Sequence, residues 1–193
     1  MKGLCGACLL ESSLGPEEAP SSAEPGLDTA WLNAHGIAVE VPPRWEGRIV
    51  VRPQAGEVKS LGYEGAPAPP GEQTHPLLQL ASVPMPNDVG DYGSAVVETL
   101  TATDLFIVLK EFSPASATTK MFARRGMPLP LDPAEFSPSS LQRTLPGQAG
   151  VQIFFNDQGG AYCLYVVIGS YARREELAQQ ASAVLATVKV QPR

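Results

Sequence analysis

Cysteine and histidine offer this chain its widest range of chemistry, and the 193 residues contain only three of the first and two of the second. Cys5 and Cys8 have the Cys-x-x-Cys spacing that supplies half of a zinc site or a redox pair. Only His35 and His75 remain as nitrogen ligands, and their spacings match no zinc-finger pattern. A redox pair would also open a helix beside a strand. We therefore predict no metal and no cofactor.

Nucleophilic catalysis requires a nucleophile, a base within hydrogen-bond reach and a group that orients the base. His35 precedes the first predicted strand, and His75 lies in a proline-rich loop. The sequence has no Gly-x-Ser-x-Gly motif in a strand-to-helix context. We predict no catalytic residue and no enzyme, and a hydrolase that uses His35 remains a distant alternative.

The carboxylates have structural roles available to them. Asp88 or Asp91 can cap a short apolar helix, and Asp132 with Glu135 has the spacing of a capping box. Glu111 is expected to face solvent from a strand. Acid–base catalysis by such groups would need strongly shifted pKa values, and the capping roles explain the pattern without it.

Two pairs of neighbouring arginines interrupt an otherwise acidic chain. Arg124 and Arg125 precede a glycine, whereas Arg173 and Arg174 stand at the start of the last predicted helix. The helix dipole disfavours cations at that position. We expect these guanidinium groups to pair with carboxylates elsewhere in the chain, and contact with an acidic partner is the alternative.

Length and charge restrict the class of protein. A chain of 193 residues fits one domain with tails, and it can bury enough surface to fold without disulfides. The net charge of −6 opposes binding to nucleic acid. No run reaches the roughly 18 apolar residues of a membrane span. We predict no nucleic-acid partner and no membrane span.

The N-terminal region is acidic and rich in Ser, Pro and Ala, so it buries too little apolar area to offset its ordering entropy. We predict a disordered tail over 1–30 and one α/β domain over 31–193. A second Pro- and Gly-rich stretch over 53–76 predicts a long loop inside that domain. Its role stays open between an insertion and a functional arm.

The Gly6-Ala7-Cys8 segment matches the end of a bacterial lipoprotein signal, although Cys5 occupies the place of the usual leucine. The apolar stretch before it is short for a signal peptide. We expect a cytoplasmic location. An extracytoplasmic lipoprotein anchored through Cys8 is the alternative if the start site is truncated.

Hydrophobic periodicity predicts an α+β fold, with a mostly antiparallel sheet flanked by helices. A strand–turn–strand unit near the end leads into an amphipathic helix that lies across one continuous sheet. The predicted strands cover 37–41, 48–52, 77–83, 104–112, 151–155, 161–168 and 188–190, and the predicted helices cover 93–100 and 173–187, with short helical turns after Asp132 and Ser137.

This order of elements resembles the PsbP-like superfamily. The first strand ends in Val41-Pro42-Pro43-Arg44-Trp45, the late hairpin carries Phe154-Phe155 and Gly160, and the last helix runs into a short strand. The resemblance covers about 34–190 and implies an α/β/α sandwich. It also implies a bacterial, mainly non-enzymatic binding module, since the family includes photosystem II subunits, a nuclear-transport cofactor, lipoproteins and secretion adaptors.

Methionine and aromatic residues are concentrated in the irregular region before the late hairpin, where they cap the core or line a groove for a partner. The predicted groove consists of Met121, Phe122, Met127, Leu129, Leu131 and Phe136. We expect a protein- or peptide-binding module. The alternative of a different class is a small-molecule or lipid binding domain on a lipid-anchored protein.

Overall fold

A computed structural model describes residues 29–54, 67–68, 73–87 and 90–193. Residues 1–28 of the tail predicted over 1–30 and much of the loop predicted over 53–76 lie outside these residues, whereas Ala30, the last residue of the predicted tail, belongs to the first strand. The strands are β1 (Ala30–Ala34), β2 (Ile37–Val41), β3 (Glu46–Val51), β4 (Pro76–Ala81), β5 (Leu105–Phe112), β6 (Ala149–Asp157), β7 (Gly160–Ile168) and β8 (Lys189–Val190), and the α-helices are α1 (Ser94–Val97) and α2 (Arg174–Leu185).

Five strands form the larger sheet, in the order β3-β4-β5-β7-β6, with every neighbouring pair antiparallel. This arrangement confirms the predicted α+β fold with a mostly antiparallel sheet. β5 and β7 lie inside the sheet because their residues are apolar on both faces. All nine residues of β7 are buried.

The prediction of one continuous sheet is wrong. β1, β2 and β8 form a separate three-stranded antiparallel sheet in the order β1-β2-β8. The turn that follows β2, closed by a hydrogen bond of 3.1 Å from Trp45 N to the Pro42 carbonyl, leads the chain into the larger sheet. Because Pro42 and Pro43 interrupt the strand pattern, the chain changes sheets here.

The larger core fills the space between one face of the five-stranded sheet and a layer made of α2 and β2. Alternate residues of each strand point into it, as the two-residue period of a strand requires. The inward positions of β5 are Leu105, Ile107 and Leu109, each fully buried. From the opposite layer, α2 contributes Leu177, Ala181 and other buried side chains.

The opposite face of the five-stranded sheet carries a smaller core. Phe106 and Val108 of β5 point into it, and α1 covers them with Val96 and Val97. Leu141, from the long connection between β5 and β6, packs against the same cluster. Both faces of the sheet are therefore covered, which explains why its central strands are apolar throughout.

The beginning of α2 resolves the unfavourable position of its arginines. Arg173 donates to both carboxylate oxygens of Glu176, at 2.7 and 2.8 Å, which confirms that this guanidinium pairs with a carboxylate. Glu175 and Glu176 supply negative charge to the first turn, where the helix dipole favours it. Arg174 instead places its guanidinium 4.7 Å from the centre of the Tyr171 ring.

The connection between β5 and β6 contains four short 3₁₀ turns, of which the two after Asp132 and Ser137 are those that the sequence predicts. They span Pro114–Thr118, Lys120–Phe122, Pro133–Glu135 and Pro138–Ser140. The Asp132 carboxylate accepts from Ala134 N at 2.8 Å, and the Ser137 hydroxyl accepts from Ser139 N at 3.2 Å. Both predicted caps are confirmed.

Candidate functional site

The β6–β7 hairpin determines which main-chain groups of β6 face outward. Gln158 and Gly159 both have positive φ, 47° and 83°, as the two central residues of a tight I′ hairpin turn require. The flanking residues Asp157 and Gly160 are directly paired. Since ladder bonds alternate along an antiparallel strand, the odd-numbered residues of β6 bond to β7. The even-numbered residues direct their N–H and C=O groups away from the sheet.

Both ends of this outer edge are closed by the connection that precedes β6. Gly150 exchanges two hydrogen bonds with Ser137, of 2.8 and 3.0 Å. Asn156 N donates to the Arg124 carbonyl at 2.8 Å, and Gly126 N donates to the Asn156 carbonyl at 2.8 Å. These two clamps shorten the open edge, which is how native proteins limit unwanted strand pairing.

The middle of the edge is open. No group in the described part of the chain bonds to the outward N–H and C=O groups of Gln152 and Phe154. We call these four main-chain groups the β6 window. At about 3.3 Å per residue, the clamps at Gly150 and Asn156 are roughly 20 Å apart. About five residues of extended chain fit in that space, and about three of them lie opposite residues 152–154.

A shallow recess of about 410 Å³ lies over the β6 window. Met121, which is 62% exposed, forms part of its wall. Arg124 and Glu135 line the recess with opposite charges, and neither forms an ion pair with any residue that the structure describes. The recess therefore combines an apolar contact, one charge of each sign and unpaired main-chain groups.

Phe154 gives the window a fixed apolar floor. Its ring lies 5.6 Å from that of Phe122 in an edge-to-face arrangement and 6.4 Å from that of Phe112. Contacts of this geometry between aromatic rings add stability to that gained from burial of the rings. The Gln152 side chain donates from Nε2 to Cys163 Sγ at 3.3 Å.

The six residues of the predicted groove separate into three environments. Phe122, Leu131 and Phe136 are buried, with 3%, 5% and 2% of their surface exposed. Met127 and Leu129 are partly buried and pack against the larger core. Only Met121 lies at the surface, and it borders the recess over the β6 window. The structure does not bring all six together as one surface.

The carboxylates named from the sequence occupy structural positions. Glu111 is 3% exposed and pairs with Arg193, so the expectation that it faces solvent is wrong. Asp91 does not cap α1, because its carboxylate pairs with Arg52 and Lys110. Gly93 occupies the cap position and makes no side-chain cap bond. Asp88 lies outside the described residues.

The histidines and cysteines do not meet in the part of the chain that the structure describes. His35 lies in the β1–β2 turn with φ of 52°, and His75 lies immediately before β4. Cys163 is buried in β7, and burial raises the pKa of its thiol. Cys5 and Cys8 lie outside the described residues. Among the residues described, no three His, Cys, Asp or Glu side chains are placed to hold a metal ion.

Sequence reasoning missed the main-chain groups at Gln152 and Phe154. Alternation of apolar and polar residues predicts a strand. Whether that strand lies at the edge of a sheet depends on which strands pair, and the local sequence does not reveal the order β5-β7-β6. The tight hairpin was the one signal in the sequence, since it predicts that β6 pairs with β7. It does not predict whether another strand pairs with the other side of β6.

Comparison with protein-family models, with curated proteins and with solved structures finds no match to this chain. The PsbP-like resemblance therefore stays a prediction. Among the described residues, no helix has the length and apolar character required to cross a membrane.

Proposed function

We propose that this protein is a non-enzymatic binding module that takes up an extended segment of a partner protein as an added strand at the β6 window. The observation that carries the proposal is the contrast along one edge. The outward main-chain groups of Gly150 and Asn156 are bonded, whereas those of Gln152 and Phe154 have no bonding partner among the described residues. Recognition by strand addition uses such unpaired main-chain groups for affinity.

The surroundings of the window define the chemistry of the bound segment. About three residues of the segment pair with residues 152–154, and the clamps on either side direct the rest of the segment away over the protein surface. One apolar side chain of the segment would contact Met121 and Phe154, and polar or charged neighbours would meet Arg124 and Glu135. Main-chain bonds supply affinity in this arrangement, and the apolar contact supplies selectivity.

The experiment selects peptides from a phage-displayed random library on the full chain and compares two substitutions at one position. Gln152→Pro removes the outward N–H and keeps the ladder to β7, because residue 152 does not bond to that strand. Gln152→Ala is the matched control. Both variants lose the same side-chain bond to Cys163, and only the proline variant loses the main-chain donor.

We expect the selected peptide to bind the wild type and Gln152→Ala with affinities within about threefold. Gln152→Pro should weaken binding about tenfold or more, through the lost bond and the bulk of the ring at the edge. Thermal unfolding of both variants checks that they remain folded. Equal binding by the proline and alanine variants would contradict strand addition.

A second copy of this chain is the other occupant of an open strand edge. Sedimentation velocity over a range of protein concentrations separates the two cases. A dimer that Gln152→Pro abolishes and that excludes the selected peptide would assign the edge to self-association instead of partner recognition.

A further inference from the structure

The connection between β5 and β6 is divided into a basic part and an acidic part. Residues 113–131 contain three cations, Lys120, Arg124 and Arg125, and no carboxylate. Residues 132–140 contain two carboxylates, Asp132 and Glu135, and no cation. The basic part therefore carries three positive charges in a chain whose net charge is −6.

The two parts lie at opposite ends of the β6 window. The basic part supplies the clamp at Asn156, since the Arg124 carbonyl accepts from Asn156 N at 2.8 Å. The acidic part supplies the clamp at Gly150, because Ser137, two residues after Glu135, bonds to Gly150. The clamps are roughly 20 Å apart, more than twice the Debye length of about 8 Å at physiological salt. A charge near one clamp is therefore largely screened from the other.

A recess of about 560 Å³ adjoins the Asn156 clamp. Lys120 and Arg125 line it, together with Thr118 and Thr119, and no carboxylate does. The two threonine hydroxyls donate to carbonyls of their own turn, at 3.2 and 2.8 Å. Neither cation forms an ion pair with any residue that the structure describes. The recess therefore presents two positive charges that no described carboxylate neutralises.

The Gly150 end of the window carries the opposite charge. Glu135 lines the recess over the window together with Val151, the residue that follows Gly150. Its carboxylate has no ion-pair partner in the described part of the chain. Arg124 borders the same recess from the Asn156 end, where its main chain forms the clamp. A segment in the window therefore meets positive charge towards Asn156 and negative charge towards Gly150.

We propose that the β6 window selects a partner segment with an acidic side chain at the Asn156 end and a basic side chain at the Gly150 end. This inference rests on the proposed strand addition. Two or three residues beyond the position opposite Phe154, an extended segment reaches the recess of Lys120 and Arg125. An antiparallel segment places the acid before its apolar residue, and a parallel segment places it after. Complementary charges of this kind give an interface specificity and orientation.

The test uses the peptide selected on the full chain, with both termini blocked so that they carry no charge. One glutamate or one lysine is placed three residues before or three residues after the apolar side chain, and alanine at both positions gives the reference peptide. We expect glutamate to tighten binding about three- to fivefold at one end and to weaken it at the other, because each pair is exposed. Lysine should show the reverse. Glutamate effects of the same sign at both ends would contradict the proposal.

Substitutions in the protein identify the two ends. Lys120→Gln combined with Arg125→Gln should abolish the tightening by glutamate and preserve the tightening by lysine at the other end. The matched control is Arg44→Gln combined with Lys189→Gln, which removes the same charge from two exposed positions, one in the turn after β2 and one in β8. This control should bind all peptides in the same order as the wild type. Equal losses in both double variants would reduce the effect to net charge and overturn the proposal.

Two further variants complete the experiment. Glu135→Gln should abolish the tightening by lysine and preserve that by glutamate. Gln152→Pro should weaken every peptide about tenfold or more, whatever its charge. If Gln152→Pro weakens binding but the position of the charge has no effect, strand addition stands and the charge preference is wrong. If Gln152→Pro leaves binding unchanged, strand addition itself is wrong and this inference fails with it.

Discussion

Arg193 and Glu111 form a two-point ion pair that joins residues 82 positions apart in the sequence. Arg193 Nε and Nη2 each donate to one carboxylate oxygen of Glu111 at 2.6 Å. The Glu111 side chain is 3% exposed, and the same guanidinium also donates to the His35 carbonyl at 2.9 Å. One residue therefore connects β5 with the turn of the small sheet.

Loss of Arg193 would leave a buried carboxylate without its counter-charge. We expect Arg193→Met to lower the free energy of unfolding by about 2–3 kcal/mol, less than for a fully buried pair because the arginine is 21% exposed. Glu111→Gln in the same background should recover part of the loss, since it removes the unpaired charge. Urea denaturation of the wild type, both single variants and the double variant measures the coupling. Additive effects would contradict a direct pair.

Acid should weaken the protein partly through Asp91. Burial raises the pKa of this carboxyl, but its bonds to Lys110 and Arg52 outweigh burial and bring the pKa below the ordinary value of 3.8. A depressed carboxyl pKa stabilises the fold at neutral pH, and this stability is lost as pH falls below 3.8.

We expect Asp91→Asn to cost about 1 kcal/mol at neutral pH, a value reduced for partial exposure. The difference from the wild type should shrink as the solution is acidified through the depressed pKa. Urea denaturation at a series of pH values provides the measurement. A difference that stays constant over this range would mean that the carboxylate charge is not responsible.

Hydrogen exchange of β6 amides tests the outer edge without any ligand. The amides of Ile153 and Phe155 bond to β7 and should exchange slowly, whereas those of Gln152 and Phe154 should exchange much faster. Asn156, whose amide bonds to the Arg124 carbonyl, is the internal control for an outward but closed position. Slow exchange at both Gln152 and Phe154 would show that the window is occupied.

Gly93 combines a left-handed backbone with close packing. Its φ is 72°, and a β-carbon added there would lie within 3.0 Å of the Phe106 ring. Gly90 has a φ of 59° with no atom within 4 Å of the same position, so it controls for the backbone effect. We expect Gly90→Ala to cost about 1 kcal/mol and Gly93→Ala about 2–3 kcal/mol. Equal decreases in melting temperature for the two variants would contradict a clash with the Phe106 ring.

The Cys163 thiol should report on unfolding. It is buried in β7, and its raised pKa keeps it in the unreactive thiol form. In a Cys5→Ser/Cys8→Ser variant, we expect no reaction with a thiol reagent in mildly alkaline buffer until denaturant unfolds the chain. Rapid labelling of the native variant would place the thiol within reach of solvent.

Local pattern was sufficient to predict most elements of this fold. Apolar runs predicted β5 as a central strand and β7 as a strand of the late hairpin, because a strand covered on both faces must be apolar on both faces. Asp132 and Ser137 were predicted correctly as caps, since a cap bond reaches only two residues along the chain. The amphipathic stripe of α2 likewise depends only on the helical period.

Long-range pairing decided the rest. The sequence pattern of β2 is the same whether it joins a large sheet or a small one, so its place beside β1 and β8 could not be predicted. Glu111 looks like a solvent-facing strand residue until Arg193 is placed beside it. The β6 window could not be predicted for the same reason, because a strand lies at an edge only where no further strand pairs with it. Sequence alone determined most of the strands and helices, although not β1, whereas the tertiary structure determined which of their polar groups found partners.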